Sequence, residues 1–302
     1  MANEFLSAEV IAAQAVGLLE RETMLAQLVT RLSGTDFAGA KGDTITMRVP
    51  AYLEAREYEL RNDRSDPIEI DEIAETAIKV TLDRMLYSGV ALTDENLTLD
   101  IRSFGEQVTG PQSRAMVRGM EQLVADAIES ADIAFTINES DPYLAAAKAR
   151  SQLNKNSIPL AGRALLLGSD TEIAFLSSPL LVRADTSGST SALREAQIGR
   201  IAGMDTYVSQ FIDPEAAYAI HVSAFGLANL APVVPDGVTS GGATTYNGFA
   251  TRWIRDYDAM FLRDRSVLSS LIGCSSVDDG HQLGEDHEGE NVRVVKLEGI
   301  GA

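Results

Sequence analysis

Imidazole, thiol and carboxylate groups carry most side-chain chemistry, and this 302-residue sequence holds three histidines and one cysteine. The densest grouping is Asp278, Asp279, His281, Glu285, Asp286, His287 and Glu288, a nitrogen and oxygen donor set that would suit a transition metal. A helical metal site wants a His-x-x-x-His pair enclosing a glutamate, whereas Gly284 lies in the longer gap between His281 and His287. The stretch reads as a solvated acidic turn, and no metal ligand is assigned. His221 sits in the apolar run 217–222 and is expected to be a satisfied core or interface residue. Cys274 reads as a small buried thiol, and a single cysteine excludes an intrachain disulfide. In the glycine-rich stretch 34–42, Lys41 comes one residue late for a phosphate loop and is followed by Gly42 instead of a hydroxyl residue. No Gly-x-Ser-x-Gly nucleophile elbow occurs. With few groups that titrate near neutrality, no catalytic residue or cofactor is assigned, and the expectation is a protein that is not an enzyme.

Charge and length narrow the classes further. Lys and Arg number 25 against 44 Asp and Glu, a net charge of −19 spread along the whole chain. Such a field repels polyphosphate and offers no basic stripe, so sequence-specific DNA binding is not expected. A hydrophobic share of 45% with 23% charged residues supports a packed core, over a length suited to about two domains. The start, Met-Ala-Asn-Glu-Phe-Leu-Ser, has neither a basic region nor an apolar core, and no stretch reaches the ~18 apolar residues of a membrane span. A reducing cytoplasm is the expected compartment, with no membrane partner.

The elements that would position these groups follow from periodicity. Apolar residues between 4 and 32 recur at three and four, predicting one or two helices with Gly17 as divider and Gly34 as stop. Ile45, Met47 and Val49 alternate into Pro50 as a strand, and Ile68, Ile70, Ile78, Val80 and Leu82 alternate again. Together they predict a long two-stranded arm. After Gly110-Pro111, the stripe Met116, Met120, Leu123, Val124, Ala127, Ile128 and Ala131 predicts a long helix. Asp141 and Pro142 open another, running toward Leu153. Further on, 164–167 reads as a buried strand, Asp170 as the cap of a helical turn through Phe175, and Ser191 as the cap of another. Strands are expected at 198–201, 206–208 and 217–222, an exposed loop over 232–248, and strands at 249–258, 266–272 and 292–297.

At the tip of the arm, Arg56, Arg61 and Arg64 alternate with Glu57, Glu59 and Asp63 beside Tyr52, Leu53, Tyr58 and Leu60. An arm that cannot bury its own apolar residues can lie across a neighbour and pair charges there. These six charged residues, with Leu18 and Leu19 of the N-terminal segment and the loop 232–248, are the candidate inter-subunit contacts.

The order of parts resembles the major capsid proteins of tailed bacteriophages, the Hong Kong 97-type fold, in the branch related to short-tailed phages. The phrases that carry the likeness are Gly42 to Pro50, Leu82 to Val90, Leu92 to Ile101, the long helix, Arg163 to Gly168, Ala192 to Glu195, Ile198 to Gly203 and Arg252 to Asp258. The resemblance implies an α+β fold with an N-arm (1–40), an extended-loop hairpin (41–92), a peripheral domain with a spine helix (93–155), an axial domain (156–248), and return strands with a C-terminal tail (249–302). It implies a subunit that self-assembles as hexamers and pentamers into an icosahedral shell around double-stranded DNA. Its partners would be copies of itself, portal and scaffolding proteins and a decoration protein, within a virion assembled in the host cytoplasm. The sequence has only five lysines and none near Asn62, so the lysine–asparagine crosslink of some relatives is not expected. The alternatives are an encapsulin-like nanocompartment shell and, from another class, a metal-dependent cytosolic enzyme using the His281/His287 cluster.

Overall fold

The computed structural model describes residues 11–17, 23–32, 44–49, 76–96, 104–178, 199–238, 240–246, 248–279 and 289–300, with positions 55, 57, 58, 60, 68, 70 and 287. Residues 11–17 are helical (α1), with Ile11, Ala12, Ala15 and Val16 buried. The helix expected to run on to residue 32 gives way to a 3-10 turn at Leu25–Gln27 and a strand, β1, at Thr30–Leu32. The β-branched pair Val29-Thr30 tolerates extension, and a parallel ladder with a strand far along the chain satisfies its backbone, so tertiary pairing overrides the helical period.

The first alternating run and the later part of the second form an antiparallel hairpin, β2 (Thr44–Val49) with β3 (Thr76–Thr81), in register from Thr44↔Thr81 to Val49↔Thr76, while Ile68, Ile70 and Leu82 lie outside the strand. Next come β4 (Arg84–Thr93), a π-helical turn at Gly105–Thr109, and the long helix α2 (Gly110–Glu129). Met116, Met120, Leu123, Val124 and Ile128 line its buried face as the spacing predicts, and Ala131 lies past its end. After β5 (Ile133–Asn138), α3 (Pro142–Lys155) starts as read from sequence, with Asp141 Oδ1 accepting from the Leu144 amide at 2.9 Å. Strand β6 (Arg163–Leu167) precedes α4 (Ser169–Ser177). The cap of α4 is Gly168, not Asp170, because the Asp213 and Pro214 carbonyls leave no room there for a Cβ. Asp170 sits in the first turn, where a carboxylate complements the helix N-terminus. The turn expected at Ser191 lies outside the described residues.

The remaining strands are β7 (Arg200–Ile201), β8 (Met204–Val208), β9 (Ala217–His221), β10 (Phe225–Leu230), β11 (Ser240–Tyr246), β12 (Phe249–Asp258), β13 (Arg263–Ser276) and β14 (Asn291–Glu298). Residues 232–238 form the expected loop, whereas 240–246 are the strand β11 instead. Ser240, Gly241, Gly242 and Ala243 carry little strand propensity of their own, but the segment lies antiparallel on β12 from Ser240↔Arg255 to Tyr246↔Phe249.

Among the described residues, two six-stranded sheets organise the fold. One has the order β1-β10-β13-β12-β11 with β4 also on β13, and the other the order β5-β14-β9-β6-β8-β7. The chain crosses between them repeatedly, so neither sheet is a contiguous stretch of sequence. Helix α2 supplies the centre of one core, in which Met116, Met120 and Val124 join Phe225, Phe249, Trp253 and Leu268 of the first sheet and Leu166, Ile220 and Val294 of the second. The other face of the second sheet packs Leu165, Leu167 and Leu297 against Ala145, Ala149 and Leu153 of α3. Burial on both faces explains why β6 reads as a continuous apolar run instead of an alternating one.

Candidate assembly surfaces

The β2–β3 hairpin leads to a segment whose described residues stay out of the core. Tyr58, Leu60, Ile68 and Ile70 are exposed, Leu60 at 95% and Ile70 at 84%. Glu57 is exposed beside them. The other candidate contacts, Arg56, Glu59, Arg61, Asp63, Arg64, Leu18 and Leu19, lie outside the described residues. The base of the hairpin is rooted firmly. Val80 is fully buried with Ala228 and Val277, with Leu32 and Leu82 packed against them. The hairpin backbone passes so close over β13 that a Cβ on Gly273 would run into the Thr81 carbonyl. A fixed root and an exposed apolar tip are what a docking arm requires.

A second projection, the turn between β12 and β13, was not singled out from sequence. Down its stem Asp256 pairs with Arg265 at 2.5 Å, Asp258 with Arg265 at 3.5 Å and with Arg263 at 3.8 Å, and Asp264 with Arg255. The stem thus neutralises its own charges. At the tip, Met260, Phe261 and Leu262 are 89%, 65% and 62% exposed, and Leu262 adopts a φ of 47°, the left-handed region that a branched side chain rarely enters. The Arg263 guanidinium lies 4.6 Å from the Phe261 ring centroid. The available signal was the run Met-Phe-Leu between Asp258 and Arg263, where alternation breaks in favour of consecutive apolar residues.

Two buried polar side chains on α2 hold the neighbouring elements in place. The Gln112 amide donates to the carbonyls of Ser88 on β4 and Ser266 on β13, both at 2.9 Å. Glu121, only 3% exposed, accepts from the amides of Met24, Leu25 and Ala26 at 2.8, 3.0 and 3.3 Å. Helical spacing alone gave no sign of either, since both fall among residues a stripe analysis counts as polar face.

The acidic C-terminal grouping is taken apart by its contacts. Asp279, fully buried, pairs with Arg293 at 2.5 Å, and Arg293 reaches Ser223 Oγ. His221 is satisfied as expected, with Nδ1 at 2.7 Å from Ser223 Oγ and Nε2 at 2.9 Å from the Ala161 carbonyl. Burial holds its imidazole below the usual pKa, aided by the cations Arg293 and Arg163, while the Ala161 bond works the other way. His287 pairs with Glu290 at 2.6 Å. His281, Glu285, Asp286 and Glu288 lie outside the described residues. Among the described residues no three ligating side chains come together as a metal centre would need. Cys274 packs against the main core, and burial pushes its thiol up to about 12, far from a reactive thiolate. Among the described residues no helix is long and apolar enough to cross a membrane.

Neither a scan against protein-family models nor a search of curated proteins returns a match. Solved structures do match, over almost the whole chain. A structure from Mycobacterium phage Che8 is 18% identical with a TM-score of 0.64, covering 93% of each chain. The capsid of cyanophage P-SCSP1u is 14% identical with a TM-score of 0.63, covering 99% of this chain and 91% of that one. The capsid of a native GTA particle is 11% identical with a TM-score of 0.57, covering 93% and 94%. The chain thus has the α+β fold of phage capsid structures, the Hong Kong 97 type.

Proposed function

We propose that this chain is a major capsid protein that self-assembles, through hexamers and pentamers, into an icosahedral shell enclosing double-stranded DNA. The observation that carries the reading is the hairpin, fixed at Val80 and Gly273 yet exposing Leu60, Ile68 and Ile70, on a fold shared with capsid shells. Exposed apolar residues on a rooted arm are covered when copies interlock, and many modest contacts per copy sum to a stable closed lattice. The acidic surface suits a container whose wall must not adhere to packaged DNA.

On this reading the chain has no catalytic role. Its segments take the parts of an N-arm (1–40), an extended loop (41–92), a peripheral domain (93–155), an axial domain (156–248), and return strands with a tail (249–302). Arg56, Glu57, Glu59, Arg61, Asp63, Arg64, Leu18 and Leu19 meet neighbouring copies. Portal, scaffolding and decoration proteins are its further partners, in a virion assembled in the host cytoplasm.

Electron microscopy and sedimentation of the purified chain, alone and coexpressed with a scaffolding protein, test the proposal. Closed shells or capsomers are expected. A compact monomer under every condition overturns it.

A further inference from the structure

We propose that Glu121 is the positioning residue that holds the amino-terminal segment on its own helix α2, and that this seat is proton-linked, tightening in acid and loosening toward neutrality. The seat does not depend on the shell reading above.

The geometry is that of a helix cap supplied from elsewhere in the chain. The 3-10 turn Leu25–Gln27 begins with amides that have no partner within the turn, and its N-cap residue Met24 offers no side-chain bond to them. The Glu121 carboxylate fills that role, Oε1 taking the amides of Met24 and Ala26 and Oε2 that of Leu25. Charge-assisted bonds of this kind are about twice as strong as neutral ones. Leu25 and Ala26 are themselves fully buried, so removing the acceptor strands amides where water does not reach.

The same carboxylate is costly to keep ionised. Burial pushes its pKa up, and the amides of Leu25, Met24 and Ala26 pull it only part of the way back. The elements packed around α2 carry Arg31 in the amino-terminal segment, Arg84 and Tyr87 on β4, and Arg263, Asp264, Arg265 and Cys274 on β13, and α2 itself carries Arg114, Arg118, Asp126 and Glu129. Among the described residues, the causes of the shift are burial and those three amides. When the segment lifts away, Glu121 meets water and returns toward the ordinary value of 4.5. The seated form therefore binds a proton more tightly than the lifted form. Linkage then fixes the sign: proton binding favours the seat most below that ordinary value, and the benefit is lost as pH rises through the raised one. Above the raised value the segment is held by three hydrogen bonds against a desolvated charge.

Amide hydrogen exchange of the full chain, with protection factors corrected for the intrinsic pH dependence, reads the seat at Met24, Leu25 and Ala26. Wild-type protection at these amides is expected to rise as pH is lowered from neutrality to the ordinary carboxylate value of 4.5. Glu121→Gln, which keeps size and an acceptor but cannot titrate, is expected to lose that rise. Glu121→Ala is expected to cut protection at the three amides by about tenfold or more at neutral pH, as stranded buried donors imply. An unchanged pH profile in Glu121→Gln, or unchanged protection in Glu121→Ala, overturns the proposal. Electron microscopy of the same samples separates the two readings. If the exchange signature is present and no shells form under any condition, the shell reading fails and the seat stands; shells without the signature reverse that outcome.

Discussion

Gln112 and Ser266 exchange hydrogen bonds across the buried boundary between helix and sheet: the Gln112 amide donates to the Ser266 carbonyl, and Ser266 Oγ donates to Gln112 Oε1, each at 2.9 Å. Ser266 Oγ also accepts from Trp253 Nε1 at 2.9 Å, so one hydroxyl links α2, β12 and β13. All three residues are at most 2% exposed. A fully satisfied buried network fixes the rotation of the helix against the sheet, which apolar packing alone specifies less sharply. Gln112→Leu, which strands the Ser88 and Ser266 groups, is expected to lower the stability of the unassembled subunit by about 2 kcal/mol. A reduced denaturant midpoint at unchanged slope checks this. An unaltered midpoint would remove the network from the account.

Gly273→Ala is expected to dislodge the hairpin. The added methyl meets backbone at Thr81, which cannot rotate away as a side chain would, and overpacking of this kind costs on the order of 1–3 kcal/mol. Hydrogen exchange should show loss of protection over Thr76–Thr81. Gly89→Ala is the control, since its Cβ would have only ordinary contact with Val267 at 3.8 Å. Equal behaviour of the two variants would refute the rooted arm.

The depressed pKa of His221 makes the fold sensitive to mild acid. The unfolded chain binds a proton near the usual 6.5, while the folded chain resists it because burial disfavours the charged ring. This contribution is therefore present above 6.5 and is lost as pH falls from there toward the depressed value. A denaturation series between pH 7 and pH 5 should show a smaller decline in His221→Gln than in wild type. Parallel curves would assign the acid sensitivity elsewhere.

Charge reversal at the arm, Arg61→Glu or Arg64→Glu, is expected to reduce shell yield while leaving the circular dichroism and melting of the subunit unchanged. Rim charges steer encounter more than they stabilise a fold. Wild-type shell yield in both variants would withdraw these residues from the interface.

Local signals in the sequence determined what depends on neighbours in the chain. The alternation of Ile45, Met47 and Val49, the stripe from Met116 to Ile128 and the Asp141-Pro142 cap fixed β2, α2 and α3, because period, proline and capping hydroxyl or carboxylate act within a turn or two. The absence of a basic stripe and the scarcity of histidine and cysteine likewise turned the reading away from nucleic-acid recognition and catalysis. What the tertiary structure alone decided are features whose partners lie far away. Residues 30–32 became β1 through pairing with Gly226 to Ala228, and Ser240–Tyr246 became a strand through β12. Gln112 and Glu121, polar by any local count, are buried because acceptors and amides from remote segments satisfy them. A hydrogen bond across some 95 residues leaves no periodicity behind, so such sites emerge only when the chain is folded.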